Sequence, residues 1–357
     1  MNKHLLVVGA TGLLGHAVLK HFLQRPDWRC TGLSRRPLRL KKVTHLKADL
    51  MNKRSLTKHA AIFAEITHVV YAALYEMDNL LDGWRHKDQI AINSLMFNNL
   101  LETLDNSSPY LKHISMLQGT KAYGIHVEPM TAPAKEKWPR HNHENFYWLQ
   151  EDNLKYLQNN KKWSYTIWRP QVVFGTAAGS PMNLVAAVAA YATICREQGT
   201  LCCYPGGDPV VTEATDAELF AEALEWAFSE PKSKNETYNI TNGDVLIWPH
   251  LWPVICDYFN VVPGHPEPRL LSSTMPSMEN EWKKIVDKYS LKQLTLRALI
   301  GGSWQFLDRA LHPKGKPVPP SLVSTIKIRK AGFNGCIDTE ESIKRCFKEM
   351  QKEHLIP

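Results

Sequence analysis

The chain has 357 residues, 44% of them apolar and 22% charged, which excludes a disordered or fibrous protein and suits one large α/β domain with an added lobe, or two domains. The formal charge of +8 is dispersed without a long basic block, so no nucleic acid is expected; a basic enzyme with an anionic cofactor is. The longest apolar stretch, residues 182–195, is too short to span a bilayer and predicts a buried helix, hence no membrane partner.

The first predicted strand is Leu5-Leu6-Val7-Val8. It feeds the turn Gly9-Ala10-Thr11-Gly12-Leu13-Leu14-Gly15, from which an amphipathic helix runs to about residue 23. Strand, glycine turn and helix form the context in which such a fingerprint binds a dinucleotide. Gly9 permits the tight turn, Gly12 lets the backbone approach a pyrophosphate, and Gly15 lets the helix lie close to the strand. The free N–H groups at the helix start then face the phosphates. The GxxGxxG spacing resembles that of extended and atypical short-chain dehydrogenases/reductases rather than the GxGxxG of most dehydrogenases. With a core strand this close to the first Met, no secretory leader is expected.

The second strand, residues 29–33, ends in Ser34-Arg35-Arg36-Pro37. An NAD-binding protein places a carboxylate there for the ribose 2′-hydroxyl. A hydroxyl and two guanidiniums suit a 2′-phosphate instead, so NADPH/NADP+ is the expected cofactor. The third strand, 45–50, brings Asp49 and Leu50 to the adenine position. The fourth, 67–73, ends in small residues that leave room beside the cofactor. A helix over about 87–104 carries Asn93, a structural hydrogen-bonding candidate, and leads to a fifth strand at 110–116. After a polar loop with Pro129, Pro133 and Pro139 come a helix over about 144–157 and a sixth strand, 163–168.

This alternation predicts an α/β fold with a doubly wound parallel Rossmann sheet. The expected division is a nucleotide-binding domain over 1–178 and a smaller, mostly helical substrate lobe and C-terminal lid over 179–357. A strand near 237–241 returns to the main sheet, so the two are interleaved. The seven cysteines show neither CxxC pairs nor metal-ligand spacing, and Cys202 and Cys203 are adjacent. Reduced thiols in a cytoplasmic protein are expected, without a metal. His141 and His143 have no third ligand nearby and read as a solvated loop pair.

A short-chain reductase ordinarily carries Tyr-x-x-x-Lys on the helix after strand five, where the Lys lowers the phenol pKa. Here Tyr147 is on that helix, but Glu151 takes the Lys position, and a carboxylate there raises a phenol pKa. Lys121 offers a replacement just past strand five, on the edge where open α/β sheets bind ligands. Spacing alone does not bring it to Tyr147, which reads equally as a core aromatic beside Phe146 and Trp148.

The runs LQGTKAYG (117–124), NFYWLQED (145–152) and WRPQVVFG (168–175) resemble the progesterone 5β-reductase/iridoid synthase family, and similar runs at 180–199, 238–244 and 331–357 extend the likeness over nearly the whole chain. The resemblance implies NADPH-dependent 1,4-reduction of the activated C=C bond of a small enone or enal. It implies Lys121 and Tyr147 as the catalytic pair and a homodimer as a candidate assembly. Matched position by position, it puts cofactor contacts on Thr11, Gly12, Leu13, Arg35, Arg36, Asp49, Leu50, Ala73, Leu117, Tyr147, Val173, Ser180 and Met182. Two departures fall on the substrate side: no Pro follows Tyr123-Gly124, and Leu74 stands where plant members carry Trp. Steroid specificity therefore does not transfer. Leu74, Tyr75, Met77, Trp84, Phe333 and Ile337 are candidate pocket or lid walls. Two other classes share part of the pattern. An extended-type carbonyl reductase or sugar-nucleotide epimerase would want Lys at position 151. A non-catalytic NADP-sensing regulator would need no Lys121/Tyr147 pair.

Overall fold

A computed structural model describes residues 3–292, 294–313 and 318–357. The first half alternates as expected: β1 (Lys3–Val8), α1 (Leu13–Phe22), β2 (Trp28–Ser34), β3 (Thr44–Lys47), β4 (His68–Tyr71), α2 (Lys87–Ser107), β5 (His113–Leu117), α3 (Phe146–Gln158) and β6 (Ser164–Pro170). The later half adds β7 (Val172–Phe174), α4 (Leu184–Gln198), β8 (Ala214–Asp216), α5 (Ala217–Ser229), β9 (Glu236–Ile240), α6 (Ser303–Leu311), α7 (Ile326–Ala331) and α8 (Thr339–Lys352).

Seven strands form one sheet in the order β9-β6-β5-β4-β1-β2-β3, every neighbouring pair parallel. Continuous apolar runs mark strands covered on both faces, and successive residues alternate between them. Leu6, Val8, Val69, Ile114 and Ile167 face α2 through Phe97, Leu100 and Leu104. Leu5, Val7, Val70 and Trp168 face α1 through Val18, Leu19 and Phe22. Strand order reverses between β1 and β4, so the crevice beyond their carboxyl ends is the ligand position of such a sheet.

The chain beyond residue 179 serves two cores. From α5, Leu219, Phe220 and Leu224, and from β9, Tyr238 and Ile240, enter the core on the α1 face, and β9 pairs with β6 with Tyr238 opposite Trp168. Ile328 and Ala331 of α7 join that same core, while a second core packs round α4, whose residues from Leu184 to Cys195 are all buried, together with Trp252, Trp282, Trp304 and Phe347. A helix apolar on every side belongs at the centre of a lobe.

Three predicted strands are shorter than expected: β5 starts only at His113, and β3 and β4 end early. β3 stops at Lys47, because Asp49 enters a turn in which its N–H donates to Ser55 Oγ and its carboxylate accepts from Met51 N. β4 stops at Tyr71, and Ala72 and Ala73 pass into the groove wall. No helix among the described residues is long and apolar enough to cross a membrane. All seven cysteines are free thiols.

Candidate active site

A groove of about 1480 Å3 follows the carboxyl edge of the sheet from the glycine turn to Lys121 and Tyr147, then passes under the helical lobe. Gly9 opens it with φ +85°, and a Cβ there would lie 2.6 Å from Ala72 O. Gly15 is behind the wall: a Cβ on it would come within 2.3 Å of Gly9 O, which is the close helix–strand approach expected of it. Helix α1 starts at Gly12 with no capping side chain and no acid in its first turn. Its leading N–H groups and partial positive charge are thus free for an anion, and the cradle fits a pyrophosphate.

Thr11, Gly12 and Leu13 line this end with Asp49, Leu50, Ala73 and Leu117; Val173, Ser180 and Met182 line the opposite wall. At the end of β2, Arg36 Nη2 donates to Thr11 O at 3.2 Å and Nη1 to Gly179 O at 3.4 Å, tying the glycine turn to the far wall. Arg35 projects beside it, exposed. Ser34 also lines the groove; its hydroxyl donates to Arg36 O at 2.7 Å and meets His45 Nε2 at 3.0 Å, which shapes this turn. No acid follows β2 before Asp49.

At the other end, Lys121 lies in the single helical turn Thr120–Tyr123 after β5, and Tyr147 in the first turn of α3. Asn145 fastens the two: its Oδ1 accepts from Tyr147 N at 3.0 Å, capping α3, and its Nδ2 donates to Lys121 O at 3.2 Å. Lys121 Nζ is 5.9 Å from the Tyr147 ring centroid and 4.5 Å from that of Trp84. The Tyr147 hydroxyl faces Gly119, where a Cβ would lie 3.4 Å away. Both side chains line the groove. Burial pushes the Tyr147 phenol up from its ordinary pKa; Glu76 adds to the shift and Arg169 opposes it. Burial lowers Lys121, and Glu76 works against that.

Glu76 was not singled out in the sequence. It follows β4, with its side chain 4% exposed and Oε1 3.6 Å from Lys121 Nζ. Gln89 Nε2 donates to it at 2.6 Å and Trp84 Nε1 at 3.3 Å. Gln89 and Asn93, one helical turn apart on α2, also clamp the backbone: Gln89 Oε1 accepts from Met77 N, and Asn93 holds Tyr75 N and O, each at 2.9 Å. Two buried amides four residues apart on an apolar helix face were the available signal.

The expected influence of Glu151 on the phenol is corrected. Burial disfavours its carboxylate, but hydrogen bonds from Lys155 (2.6 Å) and Gln118 (3.1 Å) outweigh this and hold its pKa below the usual range. Arg140 adds an ion pair at 3.2 Å. The acid that Tyr147 feels is Glu76.

On the substrate side Leu74, Tyr75, Met77 and Trp84 line the groove, while Phe333 and Ile337 do not. Phe333 packs against Trp226, ring centroids 5.8 Å apart, because α7 and the turn after it pack into the core beneath the sheet instead of over its edge. The wall is completed by Trp304, Phe306 and Arg309 of α6. His141 and His143 are not a solvated pair either. Their Nδ1 atoms are 2.8 Å apart, and His143 stacks edge-on with His126 at 4.9 Å.

A parallel sheet in this order with a glycine cradle at its switch point is a Rossmann-type dinucleotide fold, and a tyrosine and a lysine stand together at its carboxyl edge. Residues 5–297 match the PRISE-like Rossmann-fold domain, and the chain belongs to that family. It is 31% identical over 376 residues to the (S)-8-oxocitronellyl enol synthase of Antirrhinum majus, covering 99% of this chain and 92% of that one. It is 27% identical over 376 residues to the 3-oxo-Delta(4,5)-steroid 5-beta-reductase of Arabidopsis thaliana, at the same coverage. Among solved structures it is similar in fold to the UDP-glucose 4-epimerase of Thermotoga maritima (TM-score 0.67, 16% identity, 98% of this chain and 99% of that one). The UDP-glucose 4-epimerase of Thermus thermophilus, solved with NAD, gives a TM-score of 0.66 at 17% identity, covering 98% of this chain and 99% of that one.

Proposed function

We propose that the protein reduces the activated C=C bond of an α,β-unsaturated carbonyl with NADPH. The observation that carries this reading is the meeting of Lys121, from the turn after β5, and Tyr147, from the first turn of α3, at one end of a groove whose other end is the glycine cradle. Bound along the groove, NADPH would supply hydride to the β-carbon of the enone. Negative charge then gathers on the carbonyl oxygen as an enolate. Tyr147, its pKa pushed up, stays a phenol at neutral pH and donates a hydrogen bond to that oxygen. The Lys121 ammonium adds positive charge where the surroundings exclude water. A proton from solvent completes the α-carbon, so enone, NADPH and H+ give saturated carbonyl and NADP+.

Arg35 and Arg36, with no acid after β2, support NADPH over NADH. The names of the relatives, an enol synthase and a steroid 5-beta-reductase, support C=C as the bond attacked. The epimerase likeness is one of fold. The reading is tested by following NADPH oxidation with 2-cyclohexenone and a short enal, with products identified by mass spectrometry. Saturated carbonyls are expected, with saturated ketones and UDP-sugars inert. Allylic alcohols would make it a carbonyl reductase, and turnover of a UDP-sugar an epimerase. NADPH binding without turnover of any enone would leave a nucleotide-binding regulator.

A further inference from the structure

We propose that Glu76 is the positioning residue for Lys121: its carboxylate holds the ammonium over Trp84 and keeps it charged within the groove. The role rests on Lys121 serving the reduction described above. Lys121 Nζ is buried and has no hydrogen-bond partner among the described residues. Glu76 Oε1 is 3.6 Å away, and the other partners of this carboxylate, Gln89 and Trp84, are neutral donors. The pair is therefore an ion pair out of water, in which each charge depends on the other.

Every element packed round Lys121 bears on this. From α6, Arg309 lies 5.3 Å from the centroid of the same Trp84 ring and opposes the ammonium. From the loop after β5, His126 is held neutral by burial, its pKa lowered to about 3. From α3 come the uncharged rings of Phe146 and Tyr147. Of the charged groups acting on Lys121 among the described residues, Glu76 alone favours the ammonium. It also disfavours a phenolate on Tyr147. One side chain thus favours at both groups the protonation state that enolate stabilisation needs: cation at 121, hydrogen-bond donor at 147, where burial acts in the same direction. Asn93 and Gln89 fix the backbone on either side of it, so its place does not depend on bound substrate.

The test is the pH profile of kcat for the NADPH-loaded enzyme and for Glu76→Gln, which keeps the shape and the acceptor for Gln89. In the variant the falling alkaline limb moves down by about one pH unit or more, so the loss is small on the acid side and grows with pH. Glu76→Asp shifts it less, and NADPH affinity stays within about twofold, since Glu76 does not touch the glycine cradle. A uniform loss at every pH, with the limb unmoved, overturns the proposal and makes Glu76 a plain structural acid. A measurement independent of turnover is lysine NMR of the 13C-labelled holoenzyme, with Lys121→Met to assign the signal. A charged Lys121 is expected at neutral pH in the unsubstituted protein, and a neutral one overturns the proposal. Failure of enone reduction, by contrast, would strike the function while leaving the NMR result standing.

Discussion

One turn beyond Tyr147 on its own helix stands Glu151 and not a lysine, and Lys121 approaches the phenol from the turn after β5, so the phenol is the sharpest single-residue test of the chemistry. Tyr147→Phe removes one hydrogen bond to the developing oxyanion, worth about 3 kcal/mol of barrier. A loss in kcat of at least about tenfold is expected, with little change in NADPH affinity, because the hydroxyl faces Gly119 and not the phosphate cradle. Near-normal turnover would take Tyr147 out of the mechanism. Arg35 tests cofactor choice more cleanly than Arg36, which also ties Thr11 to Gly179. A charge-assisted bond to a 2′-phosphate contributes about 1.5–3 kcal/mol, so Arg35→Ala is expected to weaken NADPH binding roughly tenfold or more in a fluorescence titration. NADH binding, without that phosphate, should be unchanged. An equal loss for both cofactors would show that Arg35 does not read the phosphate. The places of Lys121 after β5 and of Tyr147 at the start of α3 were legible from the strand and helix pattern, but their pairing was expected only from the family resemblance. Glu76 was not, because an acid in a loop carries no direction until Gln89 and Asn93 orient the backbone around it.

Among elements, the strands were readable wherever both faces are buried: β1 holds the apolar run 5–8 and β4 the run 69–71, and their ends were displaced by only a few residues. What the pattern could not disclose is which face a later segment covers, and for that reason Phe333 was expected over the groove and lies beneath the sheet. The glycine turn makes a strong element-scale prediction. Gly15→Ala drives a methyl group to 2.3 Å from Gly9 O, so α1 must lift from β1. A cost of about 1–3 kcal/mol is expected in denaturant unfolding, together with loss of nucleotide binding; an unchanged dissociation constant would contradict the close approach. A second prediction concerns β4 and β5, where His68 and His113 stand opposite each other in register, both buried. Burial lowers each to a pKa of about 3, with Lys112 adding to the effect on His68 and His68 itself adding to that on His113. In the unfolded chain both take up protons near pH 6.5, while the folded state refuses them until about 3. Stability is therefore full above pH 6.5 and falls as the pH drops from there toward 3, each histidine contributing about 1.4 kcal/mol per pH unit at most. Tm measured from about pH 7.5 to about 4.5 should fall with increasing slope, and His113→Asn should flatten the fall. An equally steep fall in the variant would remove this histidine from the account.

At the scale of the whole molecule, the expected boundary at residue 178 is crossed by one core, in keeping with the expected interleaving. The face of the sheet that carries α1 is closed by α5 and β9, which come from the second half: Phe220, Leu224 and Tyr238 pack with Val18, Phe22 and Trp168. His21 at the end of α1 and Arg25 in the turn after it are joined to Glu225 of α5 by bonds of 2.6 to 2.8 Å, so charge as well as apolar surface crosses the division. Removing 179–357 would expose the α1 face of β6 and leave β6 as a sheet edge, and an apolar parallel strand at an edge has no covering and invites association. The groove would lose a wall too, since Ser180, Met182 and the Gly179 carbonyl that accepts from Arg36 all lie beyond the cut. We therefore expect a fragment of residues 1–178 to show no cooperative thermal transition and no NADPH binding by fluorescence titration, and to associate on size-exclusion chromatography. Adding a linker and residues 210–245 back to that fragment should restore cooperative unfolding, because α5 and β9 complete the core, yet nucleotide should bind more weakly than to the full chain. If 1–178 melts cooperatively and binds NADPH on its own, the nucleotide-binding half is an independent domain and the second half is merely appended to it.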